Sequence, residues 1–474
     1  MNRLIFESFI ACPQDFSVAM LGFGRANRAV AEWLLGKGGT ATVYADTPVA
    51  QAYREQYAAR GLRFYESEMP DDLPEQVLVR SPGIRPDAKP IRAALARGAC
   101  LTSETELLLA LTQATPLGIT GSDGKTTTAT LAAALLRAAG HRTWLGGNNG
   151  TPLLARVEEM KKGDLLVLEL SSFQLMTLAC PLPRAVITNI SPNHLNWHTD
   201  MSEYVAAKCR IFGGDTHLVL NADNETTAAL AASRAEHTCL FSARREWDDL
   251  PAAGRAYACG QQVTVEEGSV KYTFDCLTAF SLPGTHNLEN LLAALALTAP
   301  YLTHEAPTHA LTDFRGVAHR LEYVDTVGGV AYYNSSIDTS PSRTVAALSA
   351  LSAHPVVILG GRGKGVSFAP LTAVLAKSVK AACLYGEAAP EIAAVLPQGL
   401  PFVQIKSFDE AFSAAVAFAK EGDTVLLSPA CTAFGEFRDY EARGKHFCAL
   451  VKKLNSERIK GHWNSRRSSP PQPL

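Results

Sequence analysis

The residue run with the clearest chemical meaning is Thr120-Gly121-Ser122-Asp123-Gly124-Lys125-Thr126-Thr127. Small residues let backbone N–H groups close on polyphosphate oxygens. A lysine adds a point charge, and a threonine hydroxyl can reach Mg²⁺. The run lies between an apolar stretch and a helix-forming one, so Gly121 to Thr127 are read as an ATP-binding loop, with Thr126 on the metal. Its spacing is irregular. The common pattern needs a glycine where Ile119 stands, and Gly118 comes one residue too early.

Such a loop calls for a further carboxylate on its metal, because Mg²⁺ prefers oxygen ligands. Glu169 closes the apolar run Leu165–Leu168 and is placed for that task, although a surface glutamate at a strand end is the alternative. His194 and His198 follow another apolar run, in Ser191-Pro192-Asn193-His194-Leu195-Asn196-Trp197-His198. Either imidazole could hold a metal or be structural, and the structural reading is preferred for His198. Lys208 falls in a helical pattern among apolar neighbours; taken alone it is read as a solvated lysine.

The elements that position these groups are legible as alternating strand and helix patterns. The chain has 474 residues, too many for one ordinary core. Three α/β blocks are predicted at 1–112, 113–316 and 317–454, with a disordered Ser-, Pro- and Arg-rich tail over 455–474. The first opens with a strand over Ser17–Leu21, the turn Gly22-Phe23-Gly24, a helix over Arg28–Leu35 and a strand over Thr42–Ala45 ending at Asp46. This is a βαβ opening with an acid about 20 positions after the turn, as in dinucleotide-binding folds, but Asn27 replaces the third glycine. The second block carries the phosphate loop, a helix over Thr128–Ala139 stopped by Gly140, strands near Leu165, Ala185 and His217, and a small β-rich insertion between Arg255 and Phe280. The third again reads as a mostly parallel sheet, with strands at Val330, Val356 and Val425.

Composition narrows the class of partner. A net charge of −2 gives no broad electrostatic case for nucleic acid or an anionic membrane. The ten cysteines are scattered without a Cys-x-x-Cys pair, which favours a reducing compartment over a zinc site. With no leader pattern and no apolar run of about 20 residues, the chain is expected in the cytoplasm, off the membrane and as a monomer.

Taken in order, the motifs resemble the ATP-dependent Mur ligases of peptidoglycan synthesis. The resemblance is carried by the phosphate loop, Gly146-Gly147-Asn148, Glu169-Leu170-Ser171-Ser172-Phe173-Gln174, Asn193-His194-Leu195 and Ala206-Ala207-Lys208. It continues in His286-Asn287-x-x-Asn290, His319-Arg320-Leu321-Glu322, Gly360-Gly361-x-Gly363-Lys364-Gly365, Ser428-Pro429-Ala430 and Tyr440-Glu441-x-Arg443-Gly444. It covers the chain apart from the tail. It implies a Rossmann-like N-terminal domain, a P-loop central domain and a Rossmann-like C-terminal domain. Within the family, Ser81-Pro82-Gly83-Ile84, the Glu169–Gln174 string and the closing string favour the branch that adds D-glutamate to UDP-N-acetylmuramoyl-L-alanine.

The resemblance also implies roles. Lys125 and Thr126 would hold the ATP phosphates and Mg²⁺, and Glu169 would be a further metal ligand. His194 would bind a second Mg²⁺. Lys208 would match a lysine carbamylated by CO₂. Asn287, Asn290 and Arg320 would surround the nucleotide, while Asn148 and His194 would face an acyl phosphate. Asp46 and Thr47 would hold the uracil end of the substrate near the Ser81–Gly83 turn, Lys364 would contact glutamate, and Thr432 could replace a missing hydroxyl. The chain departs from the family at Ser122-Asp123, Asn193, Ile337-Asp338 and Ala433-Phe434-Gly435, which places the novelty around the amino-acid pocket. The rival readings are another ligase of the superfamily, including a folylpolyglutamate-synthase-like enzyme, and a non-catalytic nucleotide-binding regulator.

Overall fold

The computed structural model describes residues 2–148, 152–244, 250–282, 284–351 and 353–459. The chain divides into two compact units, Met1–Phe314 and Arg315–Leu474. The first unit contains two sheets and the second contains one.

The first sheet is all parallel, with strands in the spatial order Arg63–Tyr65, Thr42–Tyr44, Val18–Leu21, Val77–Arg80 and Cys100–Thr102. Val18–Leu21 and Val77–Arg80 are buried along their whole length, which is why their sequences are continuous apolar runs rather than alternating ones. The order reverses between these two strands. Such a switch point opens a crevice at the strands' carboxyl ends, where α/β sheets bind ligands. Gly22 and Ser81 stand there, one after each strand. Asn27 explains the absent third glycine. Fully buried on the helix Arg25–Gly36, it donates from Nδ2 to the carbonyls of Leu21, Gly22 and Val79. The turn is therefore tied by a side chain instead of by close helix–strand packing.

The second sheet has nine strands, with Thr115–Thr120 paired between Arg184–Ile187 and Leu165–Glu169. These three strands are parallel, so the phosphate loop, Glu169 and the histidine loop all leave the same edge. The expected β-rich insertion is not a separate body. Gly254–Cys259 pairs parallel to Thr238–Ser242, and Gln262–Glu267 and Val270–Phe274 add to it antiparallel, extending the same sheet. The helices Lys125–Ala138 and Thr285–Thr298 share one core with it, including Leu131, Leu135, Leu291 and Leu295. Thr285–Thr298 is buried from Asn290 to Thr298, hence its alanine–leucine sequence with no polar stripe.

The second unit is a six-stranded sheet in the order Glu322–Val327, Val330–Asn334, Thr424–Leu427, Val356–Gly360, Ala381–Tyr385 and Phe402–Ile405. Only the first pair is antiparallel. The closing helix, Tyr440–Ile459, packs Phe447 and Val451 into this core. It runs through 455–459, so the first part of the expected tail is helical, continued by the packing of Val451 and Leu454 below it. The rest of that tail lies outside the described residues. Among the described residues no helix is long and apolar enough to cross a membrane.

Candidate active site

The phosphate loop is shaped by two glycines. Gly121 has φ +149°, and a Cβ there would lie 1.9 Å from Thr188 Oγ1. Gly124, which opens the helix, has φ +79°, and a Cβ would lie 2.2 Å from Asn290 Oδ1. No other residue type fits either place. Between them the loop is laced to its neighbours. Ser122 Oγ donates to the Ser191 carbonyl at 3.0 Å, accepts from Ser191 N at 2.9 Å and lies 2.9 Å from Tyr204 Oη. Asp123 N donates to Asn189 Oδ1, and its carbonyl accepts from Thr188 Oγ1. Lys125 Nζ donates to the carbonyls of Gly121 and Ser122, both at 2.8 Å. Thr126 and Thr127 are half-buried on the first helical turn, and Asp123 is exposed.

Gly118 proves to be no loop glycine. It is a strand residue whose missing Cβ leaves room for Leu182 Cδ1, 2.2 Å from where that Cβ would be. Gly118→Ala should therefore lower stability by roughly 1–3 kcal/mol through overpacking while leaving the KM for ATP unchanged. Thermal melting and nucleotide titration would check this, and a raised KM with unchanged melting would contradict it.

Glu169 is buried, not a surface carboxylate, with 1% exposure. Its Oε1 accepts from Asn148 Nδ2 at 2.8 Å, while Oε2 is buried without a partner. Gly147 permits this approach, since its Cβ would lie 2.2 Å from the Glu169 carbonyl. His194 adopts a left-handed conformation, φ 56°, with its ring 4.9 Å from Phe173. Desolvation, with Lys125 and Lys208 nearby, holds its pKa below the ordinary histidine value. His198 is structural. It is buried between Glu203 Oε2 at 3.2 Å and Ser172 Oγ at 2.9 Å.

Lys208 corrects the reading of a solvated lysine. It is 1% exposed, on the helix Met201–Cys209, and donates from Nζ to the Gly121 carbonyl at 2.7 Å. The Tyr204 ring lies 4.6 Å away. Two lysines thus converge on one carbonyl oxygen. Burial, reinforced by the Lys125 charge, pushes the Lys208 pKa down to about 6, so its amine is neutral at neutral pH.

The remaining predicted residues fall in both units. Asp46 and Thr47 are exposed after the strand Thr42–Tyr44. Ser81 Oγ is buried without a partner, and the Gly83 carbonyl accepts from Trp197 Nε1 at 3.0 Å. Asn290 is buried beneath the phosphate loop, accepting from Thr128 Oγ1, which makes it a support of the loop, and Asn287 lies one turn earlier on the same helix. In the second unit Arg320 sits between two left-handed residues, His319 and Leu321. Lys364 Nζ donates to Thr339 Oγ1 at 2.9 Å, and Thr432 Oγ1 donates to the Arg362 carbonyl at 2.9 Å. Burial and Arg343 lower the Lys364 pKa. Ala433 and Phe434 border a cleft of about 530 Å³ that also includes Gly361, Tyr385, Gln404 and Lys406. The lacing of Ser122, and the roles of Tyr204 and Arg443, were not singled out from sequence. Only the Arg443-Gly444 string carried a signal.

A family model described as the Mur ligase middle domain matches residues 119–298, and one described as the Mur ligase glutamate ligase domain matches 319–431. A UDP-N-acetylmuramoylalanine–D-glutamate ligase of Ruminiclostridium cellulolyticum is 37% identical over 474 residues, covering 96% of this chain and 100% of its own. The chain belongs to the Mur ligase family. An enzyme of the same name from Symbiobacterium thermophilum is 39% identical, covering 92% of this chain and 98% of its own. The UDP-N-acetylmuramate–alanine ligase of Thermotoga maritima shares the fold with a TM-score of 0.53 at 18% identity, over 92% of this chain and 99% of that one. Mur ligases are ATP-dependent, amide-forming enzymes, and ATP with Mg²⁺ is consistent with that family.

The donor set fits a metal in a specific way. Among the described residues no three His, Cys, Asp or Glu side chains gather where they could hold an ion. The orphaned Glu169 Oε2 is an available oxygen ligand beside the phosphate loop's strand.

Proposed function

We propose that this chain joins D-glutamate to UDP-N-acetylmuramoyl-L-alanine with cleavage of ATP. The observation that carries the reading is the convergence of Lys125 and Lys208 on the Gly121 carbonyl, next to a loop built for polyphosphate. A regulator that only binds nucleotide has no use for a buried neutral lysine there.

The substrate's terminal carboxylate oxygen attacks the γ-phosphorus of ATP, the bond to the β-γ bridging oxygen breaks, and an acyl phosphate and ADP result. The neutral amine of glutamate then attacks the carbonyl carbon, phosphate leaves with the C–O bonding pair, and the surplus N–H proton passes to the departing phosphate or to solvent. Phosphoryl transfer of this kind asks mainly for positioning and charge neutralisation. Lys125 and the N-terminus of its helix bind the phosphates. Asn148 and His194 face the acyl end, and neutral His194 can accept a hydrogen bond or a proton. Lys208 acquires a carboxylate when its nitrogen attacks CO₂: an N–C bond forms, a C–O π pair moves to oxygen, and the nitrogen's proton is released. Thr126, Glu169, His194 and carbamylated Lys208 would then hold two Mg²⁺ ions, which supply charge neutralisation on the transferring phosphoryl oxygens.

The three sheets are taken as three functional domains, 1–112 for the uridine nucleotide with Asp46, Thr47, Ser81 and Gly83, 113–316 for ATP, and 317–454 for glutamate with Lys364 and Thr432. Asn287, Asn290 and Arg320 are taken as further nucleotide contacts. The reaction is placed in the cytoplasm, with the chain acting as a monomer. Phosphate release from ATP should require the muramoyl substrate and D-glutamate together. Absence of turnover with any amino acid would sink the ligase reading. Turnover with L-glutamate alone would keep the class and change the product, and Ala433 and Gly435 are the residues that make that arm necessary.

A further inference from the structure

Arg85 follows the Ser81–Ile84 turn of the first sheet, yet all its partners but Asp87 follow strands of the second. Its Nη2 donates to Glu203 Oε1 at 2.9 Å, and its Nη1 to Glu203 Oε2 at 3.2 Å and to the Trp197 carbonyl at 2.6 Å. The guanidinium also stacks on the Trp197 ring at 5.1 Å. Its outer edge meets Asp87, both bonds at 2.8 Å. Trp197 closes a turn on His194, its N donating to the His194 carbonyl at 3.0 Å. Glu203 stands in the first turn of the helix that carries Lys208. Glu203 Oε2 also accepts from Thr199 N at 2.9 Å and faces His198, which reaches Ser172 just after Glu169. One side chain therefore touches, or reaches through Glu203 and His198, the three segments that carry Glu169, His194 and Lys208.

We propose that Arg85 is a positioning residue that locks the His194 loop and the Lys208 helix to the substrate-binding turn of the first sheet. Neighbouring Arg80 does a different job. Buried, it donates to the Pro82 and Ile84 carbonyls of the turn and to the Phe173 carbonyl and Thr177 hydroxyl, so it ties the turn to the segment after Glu169 and touches neither the His194 loop nor the Lys208 helix. Arg85 is less enclosed, with side-chain exposure of 25% against 21% for Glu203. A forked, charge-assisted pair in that setting fixes direction as well as distance, which a lysine cannot do. Because phosphoryl transfer depends on alignment, a small displacement of the histidine loop is costly in rate.

The kinetic part of this inference rests on the ligase reading above, so the test has two readouts. Arg85→Ala should lower kcat about tenfold or more and raise the KM for the muramoyl substrate, while affinity for a fluorescent ATP analogue stays within about twofold. Arg85→Lys should recover only a minor part, and Asp87→Ala, which removes the exposed partner alone, should leave kcat unchanged. By hydrogen exchange on the intact chain, Arg85→Ala should lose protection over 194–204 but not over the helix Lys125–Ala138. Unchanged exchange over 194–204, full recovery with lysine, or loss of ATP affinity in step with kcat would each overturn the proposal. If the wild-type chain fails to turn over, the ligase reading falls, and the exchange pattern alone decides whether Arg85 is the lock.

Discussion

Lys208→Ala is expected to lower ligase turnover by about a thousandfold or more, with partial recovery on adding a small carboxylate such as acetate. The argument starts from burial. An ammonium with 1% exposure beside Lys125 gives up its proton more readily than it gives up its place, and its pKa falls to about 6. Above that value the amine is free to take up CO₂, so wild-type enzyme stripped of CO₂ should regain activity with bicarbonate at pH 8. It should do so progressively less as the pH falls through 6. The stability consequence has the opposite sense from that of a useful ion pair. Between about pH 6 and the unfolded value near 10.4, the unfolded chain binds more protons at this site, so stability rises with pH across that window. Below about pH 6 the cost of burial is complete. Lys208→Met removes that cost, and the Gly121 carbonyl keeps its Lys125 donor. The inactive Met variant should thus melt higher than wild type at pH 7 in CO₂-free, metal-free buffer, with the gap closing toward pH 10. A fully active Lys208→Ala protein would remove Lys208 from the mechanism, and a lower melting point for Lys208→Met would show that the buried amine is stabilising.

The uneven legibility of this chain has the same physical origin. Strands buried on both faces, such as Val18–Leu21 and Val356–Gly360, appear as apolar runs, and the phosphate loop appears as glycines with a lysine, because both are written in contiguous residues. Glu169 could be proposed because it ends a strand, and His194 because its loop follows one. That their loops leave the same edge is decided by strand order, which places Thr115–Thr120 between the strand ending at Glu169 and the strand that precedes the His194 loop. Lys208 was misread in isolation because burial is a property of the surrounding fold, and nothing within nine residues of it supplies the Gly121 carbonyl. The packing role of Gly118 was not legible for a related reason. A glycine demanded by Leu182 packing looks, in one dimension, like a displaced loop glycine. Arg85 was invisible because its partners Trp197 and Glu203 are more than a hundred residues away in sequence.

The second large effect is expected from Arg443→Met, which should destabilise the second unit by roughly 3–5 kcal/mol. Arg443 is fully buried in the first turn of the closing helix, and its bonds go to oxygens from three separate segments. Nε donates to Ser336 Oγ at 3.0 Å and Nη2 to the carbonyls of Ser336 and Cys431 at 2.9 and 3.1 Å. Nη1 reaches Tyr385 Oη and the Thr432 carbonyl, both at 3.2 Å. Methionine fills much of the volume but leaves buried carbonyls without donors, and each such group costs about 1–3 kcal/mol. Lysine restores a charge without the planar fork and should recover only part of the loss. The next residue shows why the helix cannot shift to compensate: a Cβ on Gly444 would lie 2.2 Å from His319 Nδ1. The segments Arg443 ties also carry Thr339, whose hydroxyl accepts from Lys364, and Thr432, whose hydroxyl donates to the Arg362 carbonyl. In protein that still folds, the KM for the amino acid should therefore rise more than that for the muramoyl substrate. Chemical denaturation followed by hydrogen exchange within Arg315–Leu474 measures the first effect, and initial rates measure the second. Unchanged protection there would mean that the buried guanidinium contributes no net stability, its desolvation cancelling its five hydrogen bonds.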